Sequence, residues 1–126
     1  MKRMWSPWRA AYIETFTNPP KKRRSKKSIF LQALEANDDD KHFIVWRGKH
    51  CFVIMNLYPY NSGHMMIVPY RQIARFDELK DAELLDVMRT ARKAIQALDA
   101  TMRPEGFNFG ANLGRASGAG IHDHIH

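Results

Sequence analysis

Three histidines near the end of the sequence have the type and spacing of residues that do chemistry. His122, His124 and His126 alternate with other residues, so an extended strand would place all three imidazoles on one face. A neutral imidazole can act as nucleophile, general base or metal ligand near neutral pH. A glycine-rich loop over 114–120 precedes them. The sequence therefore predicts a histidine strand that enters from this loop and does chemistry.

The composition indicates one folded globular domain. The chain has 126 residues, of which 44% are hydrophobic and 11% aromatic, enough for one modest core. No run approaches the ~18 apolar residues of a membrane span, and no segment reads as a signal peptide. The single Cys51 cannot form an internal disulfide, which favours a reducing compartment. We expect a cytoplasmic protein with no membrane partner.

The net charge of +7 is concentrated near the start of the chain. Six basic residues fall within seven positions: Lys21, Lys22, Arg23, Arg24, Lys26 and Lys27. Such a run is typical either of a phosphate-binding or nucleic-acid-binding arm or of a solvated loop. The run has no aromatic residues for base stacking and no nucleic-acid motif, which favours the loop. We expect an arm over residues 1–27, a domain over 28–126, and no nucleic-acid partner.

Runs of β-branched and aromatic residues bounded by turn residues predict four strands before the histidines. They cover residues 43–46, 51–55, 64–68 (ended by Pro69) and 107–112. A glycine at position 48 supplies the first hairpin turn, and Tyr58–Gly63 has the composition of a second turn. Most neighbouring strands are joined by short loops, which predicts a mostly antiparallel sheet.

Two helices are predicted. Ser28–Asn37 reads as a short helix that ends at a turn over residues 38–40. A long helix is expected from Asp81, as its N-cap, to about Thr101, because five apolar residues follow a spacing of four and three. They form one stripe that we expect to be core: Leu84, Met88, Ala91, Ile95 and Leu98. The predicted fold class is α+β, a mostly antiparallel sheet with one long helix.

Three separated blocks in the sequence resemble the histidine triad (HIT) family. They are Asn56–Pro69, the stretch Gly106–Asn112, and the glycine-rich loop that runs into Asp123-His-Ile-His126. Trp5–Arg9 and Arg47–His50 resemble the bacterial branch that includes diadenosine tetraphosphate phosphorylases. The resemblance implies a homodimer that acts on nucleotides or dinucleoside polyphosphates through a nucleotidyl-histidine intermediate, with water or inorganic phosphate as acceptor.

The family motif can be placed in two frames. One takes His122, His124 and His126 as the full triad, and the other takes His124 and His126 as its first two members. Residues between triad histidines are apolar in the family, and an aspartate there would be an unpaired buried charge. Asp123 therefore favours the second frame. In that frame His126 matches the nucleophile, and His124 orients it by hydrogen bonds and takes part in proton transfer.

The resemblance also implies five substrate-binding positions. Asn56 matches a ribose-binding asparagine, and its alternative role is to cap a turn. His64 matches a histidine that supports the active site, and Asn112 matches a polar residue that contacts phosphate or ribose. Gly118 and Gly120 would let backbone N–H groups approach the α-phosphate.

The chain departs from many bacterial relatives where they have a structural zinc site. Ser28–Leu31 stands in place of a Cys-x-x-Cys motif, and Gln72 stands in place of a histidine. Because the thiolate ligands that zinc favours are missing, we expect no metal and no cofactor.

Two other hypotheses come from the histidine segment itself. The sequence stops before a third histidine of the favoured frame, so a catalytically impaired nucleotide-binding module is the alternative function. The other is a metal-binding strand that uses His122, His124 and His126, since three imidazoles on one face can hold zinc or copper.

Overall fold

The computed structural model describes residues 27–56, 63–119 and 121–126. The arm expected over 1–27, the turn expected at 58–63 and Gly120 fall wholly or largely outside these residues. The described part contains helices α1 (Ile29–Glu35), α2 (Asp39–His42) and α3 (Asp81–Met102), and strands β1 (Ile44–Arg47), β2 (Cys51–Met55) and β3 (Met65–Pro69). Single 3-10 turns lie at Phe76–Glu78 and Arg115–Ser117. The α+β class is confirmed.

The three strands form one antiparallel sheet in the order β1-β2-β3. The strand predicted at 51–55 is confirmed, whereas β1 and β3 each lie one residue later than predicted. For β1 the cause is Phe43, whose φ of 62° ends α2. Gly48 turns the first hairpin, and a Cβ there would lie 3.0 Å from the carbonyl oxygen of Cys51.

The middle strand β2 is covered on both faces. Phe52 and Ile54 join Phe30 of α1 in the hydrophobic core. Cys51 points the other way, toward Thr90 of α3, with 3.4 Å between Sγ and Oγ1. Alternation along the strand therefore places α1 and α3 on opposite sides of the sheet.

The long helix α3 is confirmed within one residue at its end, but its N-cap is Lys80 rather than Asp81. The Glu83 carboxylate accepts a hydrogen bond from the Lys80 N–H at 2.8 Å. The prediction of a buried stripe is wrong in part. Ala91 is buried, whereas Met88 and Ile95 are 55% and 37% exposed. Across the described ranges, no helix combines the length and apolar character needed to cross a membrane.

Two predicted strands and one predicted turn are wrong. Residues 107–112 and 121–126 are irregular, and residues 39–42 form the short helix α2 instead of a turn. A strand exists only when another strand takes up its backbone hydrogen bonds. Within the described residues, neither segment pairs with the sheet.

Candidate functional site

His124 is fully buried and is held at both ring nitrogens. Its Nδ1 lies 2.5 Å from the Ser28 hydroxyl, and its Nε2 lies 2.7 Å from the backbone carbonyl oxygen of Pro69. A carbonyl oxygen can only accept, so Nε2 donates to Pro69. In a neutral ring Nδ1 is then an acceptor, and the Ser28 hydroxyl donates to it.

Burial keeps the His124 ring neutral. Removal from water lowers the pKa of His124, and this outweighs the hydrogen bond to Pro69 and the charge of Asp123, which both raise it. The ring also meets the Phe30 ring edge-on, with 5.6 Å between centroids. His124 is thus fixed in one tautomer and one orientation.

The backbone around His124 is tied to the segment that follows β3. The Ile125 N–H donates to the carbonyl oxygen of Ile73 at 2.8 Å. Ile121 and Ile125 are buried, and Ile121 belongs to the hydrophobic core. The apolar residue between the two histidines therefore packs inward, as the favoured frame of the motif requires.

His126 is half-buried and keeps one nitrogen available for chemistry. Its Nδ1 lies 3.0 Å from the carbonyl oxygen of His124, so Nδ1 holds the proton and donates. In the neutral ring, the lone pair is then on Nε2. Burial is the main cause that lowers the pKa of His126, and the nearby His64 lowers it further, whereas the hydrogen bond raises it. The neutral ring is the nucleophilic form.

Two more predicted site residues, Asn56 and His64, are neighbours in the structure. The Asn56 N–H donates to the carbonyl oxygen of His64 at 3.1 Å. This bond continues the pairing of β2 with β3 by one residue beyond Met55 and Met65. His64 is exposed and near enough to the His126 ring to act on its pKa. The structure thus places Asn56 beside His64, and His64 near His126.

Among the described residues, Asn112 and Gly118 make no hydrogen bond to these residues. Asn112 lies in the exposed irregular segment, and among the described residues no hydrogen bond joins it to either histidine. Gly118 has a φ of 95°, and its N–H already donates to the carbonyl oxygen of Arg115 at 3.0 Å. This N–H is therefore engaged within the 3-10 turn. Gly120 lies outside the described residues.

His122 has different partners from the other two histidines. Its Nε2 accepts from the Arg115 guanidinium at 3.2 Å, and its buried Nδ1 has no partner among the described residues. The hypothesis of a metal-binding histidine row gains no support, since both ring nitrogens of His124 are engaged. In the described ranges, no group of three histidine, cysteine or acidic residues is placed to hold a metal.

Ser28 and Gln72 do not fit a zinc site. The Gln72 Oε1 accepts from the Ser28 N–H at 2.6 Å, and the Ser28 hydroxyl is bonded to His124. The Gln72 side chain is thus bonded to the Ser28 backbone and the Ser28 side chain to His124, and Leu31 offers no ligand atom.

Sequence reasoning missed Ser28 and Phe30 as parts of this site. Ser28 did carry a signal, because serine before an apolar-periodic run is a typical N-cap. Its second partner lies 96 residues away, and no local pattern could indicate that contact. Phe30 reads only as an apolar residue, yet its ring lies 4.9 Å from the His126 ring, centroid to centroid.

Comparison with known proteins links this arrangement to one family. A model described as the HIT domain matches residues 37–126. The protein is similar to the AP-4-A phosphorylase of Mycobacterium tuberculosis, with 35% identity covering 100% of this chain and 65% of that protein. The chain thus spans less than two thirds of that relative's length.

Two further similarities extend the comparison. The asymmetrical bis(5'-nucleosyl)-tetraphosphatase of Schizosaccharomyces pombe is 29% identical over 66% of this chain and 46% of its own length. In fold, the chain is similar to the crystal structure of a HIT family protein from Bacillus anthracis. That match has a TM-score of 0.70 at 19% identity and covers 81% of this chain and 72% of the other.

Proposed function

This chain belongs to the HIT domain family, as its motifs predicted, and on this premise we propose that it cleaves dinucleoside polyphosphates such as diadenosine tetraphosphate. One observation supports this most directly. His126 is a neutral imidazole whose Nδ1–H is bonded to a backbone carbonyl, which leaves Nε2 as a nucleophile.

In the first step, the Nε2 lone pair of His126 attacks the α-phosphorus of diadenosine tetraphosphate. A nitrogen–phosphorus bond forms, the bond from phosphorus to the bridging oxygen breaks, and its electron pair leaves with ATP. Positive charge develops on the ring as the bond forms. The His124 carbonyl oxygen, 3.0 Å from Nδ1, stabilises that charge.

In the second step, an acceptor oxygen attacks the same phosphorus and the nitrogen–phosphorus bond breaks. Its electron pair returns to Nε2 of His126, and the acceptor leaves with the nucleotide. Inorganic phosphate as acceptor gives ADP, and water gives AMP. The similarity to a protein named a phosphorylase favours phosphate.

The test is an incubation of the purified chain with diadenosine tetraphosphate, with and without phosphate, followed by anion-exchange separation of products. We expect ATP plus ADP only when phosphate is present. ATP plus AMP without phosphate would identify a hydrolase. Saturable nucleotide binding without products would instead support the nucleotide-binding module.

A His126→Ala variant is the matched control for this assay. Loss of the nucleophile should lower turnover by at least about a thousandfold. His42→Ala, which removes the histidine at the end of helix α2, should leave turnover unchanged. Equal turnover in the His126→Ala variant and the unmodified protein would contradict the assignment of the nucleophile.

We also propose a homodimer. Two apolar side chains of α3, Met88 and Ile95, and two in the following segment, Phe107 and Phe109, are all more than a third exposed. A second copy that covers them would bury this apolar surface. Light scattering after size-exclusion chromatography measures the molar mass, and a monomer at micromolar concentration would contradict the proposal.

A cytoplasmic location remains part of the proposal. Cys51 is a buried free thiol, and reducing compartments keep thiols in this state. Fractionation of cells that make the protein would test this, with recovery outside the cytoplasm as the contrary result.

A further inference from the structure

Ser28 is the residue through which the start of α1 reaches the histidine segment. Its side chain is fully buried, as is that of His124, and the two lie 2.5 Å apart. We propose that Ser28 is a positioning residue, whose hydroxyl fixes the tautomer and orientation of His124 and thereby directs Nε2 of His126 toward the substrate. The consequence for turnover rests on the function proposed above, whereas the tautomer does not.

The direction of each hydrogen bond follows from the partners. The Ser28 hydroxyl oxygen accepts from the Leu31 N–H at 3.2 Å as the N-cap of α1. Its single proton remains for donation, and Nδ1 of His124 is the acceptor within reach. The carbonyl of Pro69, at the other end of the ring, requires the same tautomer. Two independent partners thus specify one protonation pattern.

Ser28 is itself held in place by the segment that follows β3. Its N–H donates to Oε1 of Gln72 at 2.6 Å, and Gln72 lies between Pro69, which binds the His124 ring, and Ile73, which binds the backbone at position 125. Residues 69–73 therefore bind both Ser28 and the His124 segment and fix their positions relative to each other. A shift of Ser28 would be passed to His124.

The orientation of His124 matters because its own carbonyl binds the nucleophile. The His124 carbonyl oxygen accepts from Nδ1 of His126 at 3.0 Å. The hydrogen bonds from Ser28 and to Pro69 anchor residue 124. Without the Ser28 bond the backbone at 124 is held by fewer contacts, so its carbonyl can shift and Nε2 of His126 with it. Misplacement of a reacting group by about 1 Å can cost about a hundredfold in rate.

A simpler role for Ser28 is to cap α1 and nothing more. Two substitutions separate the roles. Glycine caps a helix almost as well as serine, at a cost of a few tenths of a kcal/mol, but it has no hydroxyl for His124. Threonine keeps a hydroxyl and caps the helix too. Ser28→Gly therefore removes mainly the His124 contact, and Ser28→Thr is the matched control.

The experiment is nitrogen-15 NMR of the histidine rings in the unmodified chain and both variants, followed by turnover of diadenosine tetraphosphate. In the unmodified chain, His124 should show a protonated Nε2 and an unprotonated Nδ1. We expect Ser28→Thr to keep both this pattern and the chemical shift of Nδ1. In Ser28→Gly only the Pro69 carbonyl still favours the tautomer, so the Nδ1 resonance should move toward that of a nitrogen without a hydrogen bond and the Nε2–H tautomer should be less fully populated. Ser28→Gly should lower kcat by up to about a hundredfold with little change in KM.

Each outcome decides the proposal. A protonated Nδ1 on His124 in the unmodified chain would overturn the proposal. This result needs neither the activity assay nor a variant. An unchanged His124 pattern and unchanged kcat in Ser28→Gly would also overturn it and leave capping as the role. If the unmodified chain turns over no substrate, the proposed function fails, while the NMR result still shows whether Ser28 fixes the tautomer.

Discussion

Two irregular segments near the end of the chain differ in how they are held. Residues 121–126 have no regular structure, yet Ile121, His124 and Ile125 are buried, and hydrogen bonds reach them from α1 and from the end of β3. Residues 103–118 are also mostly irregular, but every one of them is exposed. Their backbone hydrogen bonds are local, within the turn at 114–118.

The comparison shows that regular secondary structure is not what positions the reactive group. The surroundings of His126 are held by contacts from elements far apart in the sequence. Several of these contacts act on the same short segment at once. Among the described residues, the exposed segment with Asn112 reaches residues 121–126 through one hydrogen bond, from Arg115 to His122. We therefore propose that any substrate contact by Asn112 requires a partner, such as the second copy in the proposed homodimer.

The largest expected difference between the segments is in stability. His124→Ala removes a buried ring and leaves the Ser28 hydroxyl and the Pro69 carbonyl without their partner. Together the cavity and the unsatisfied groups should cost about 3 kcal/mol of unfolding free energy. Asn112→Ala, in the exposed segment, should change it by less than about 0.5 kcal/mol. Urea denaturation measures both, and similar losses would remove the distinction.

The second prediction concerns how the stability of the protein depends on pH, through the residue that precedes Gln72. Arg71 precedes Gln72 and binds the buried Glu83 through two hydrogen bonds, at 2.8 and 2.7 Å. This guanidinium is the main cause that lowers the pKa of Glu83 to about 2. A lowered carboxyl pKa adds stability above the unfolded pKa of about 4.5, which is lost as the pH falls toward 2.

We therefore expect Glu83→Gln to be less stable than the unmodified chain above pH 5, and the difference to shrink as pH falls to about 2. Thermal unfolding across this range is the measurement. Asp77→Asn is the control, because the Arg75–Asp77 pair is exposed at both side chains and such pairs contribute little. A Glu83→Gln difference that is constant with pH would contradict the role of the ionised pair.

The sequence predicted those parts of the fold that depend on local pattern. The strand Cys51–Met55 and the helix from Asp81 follow from runs and periods within one segment. The alternation of His124 and His126, with the resemblance, predicts that the chemistry lies there, and this stays a prediction. The contact from Ser28 to His124 depends on how distant segments pack, so it could not be predicted from either segment alone.

The wrong predictions have the same physical origin. Residues 107–112 have strand-forming composition, but a strand also needs a hydrogen-bonding neighbour, and the described residues provide none. Met88 and Ile95 fit a core stripe by spacing, yet the sheet covers α3 nearer Thr90 and Ala91. Periodicity shows that a helix has an apolar face but does not show how much of it this chain covers.

The smallest predicted effect concerns the exposed segment alone and separates backbone strain from packing. Gly118 has a φ of 95°, and an added Cβ would meet no atom within 4 Å. Gly118→Ala should therefore cost about 1 kcal/mol, from the backbone conformation only. Gly106→Ala is the control in the same segment, since its Cβ also enters open space and its φ is not in the left-handed range, so it should be neutral or slightly stabilising. If both variants unfold at the same urea concentration, residues 114–118 do not keep this turn, and the exposed segment is held even less than its geometry indicates.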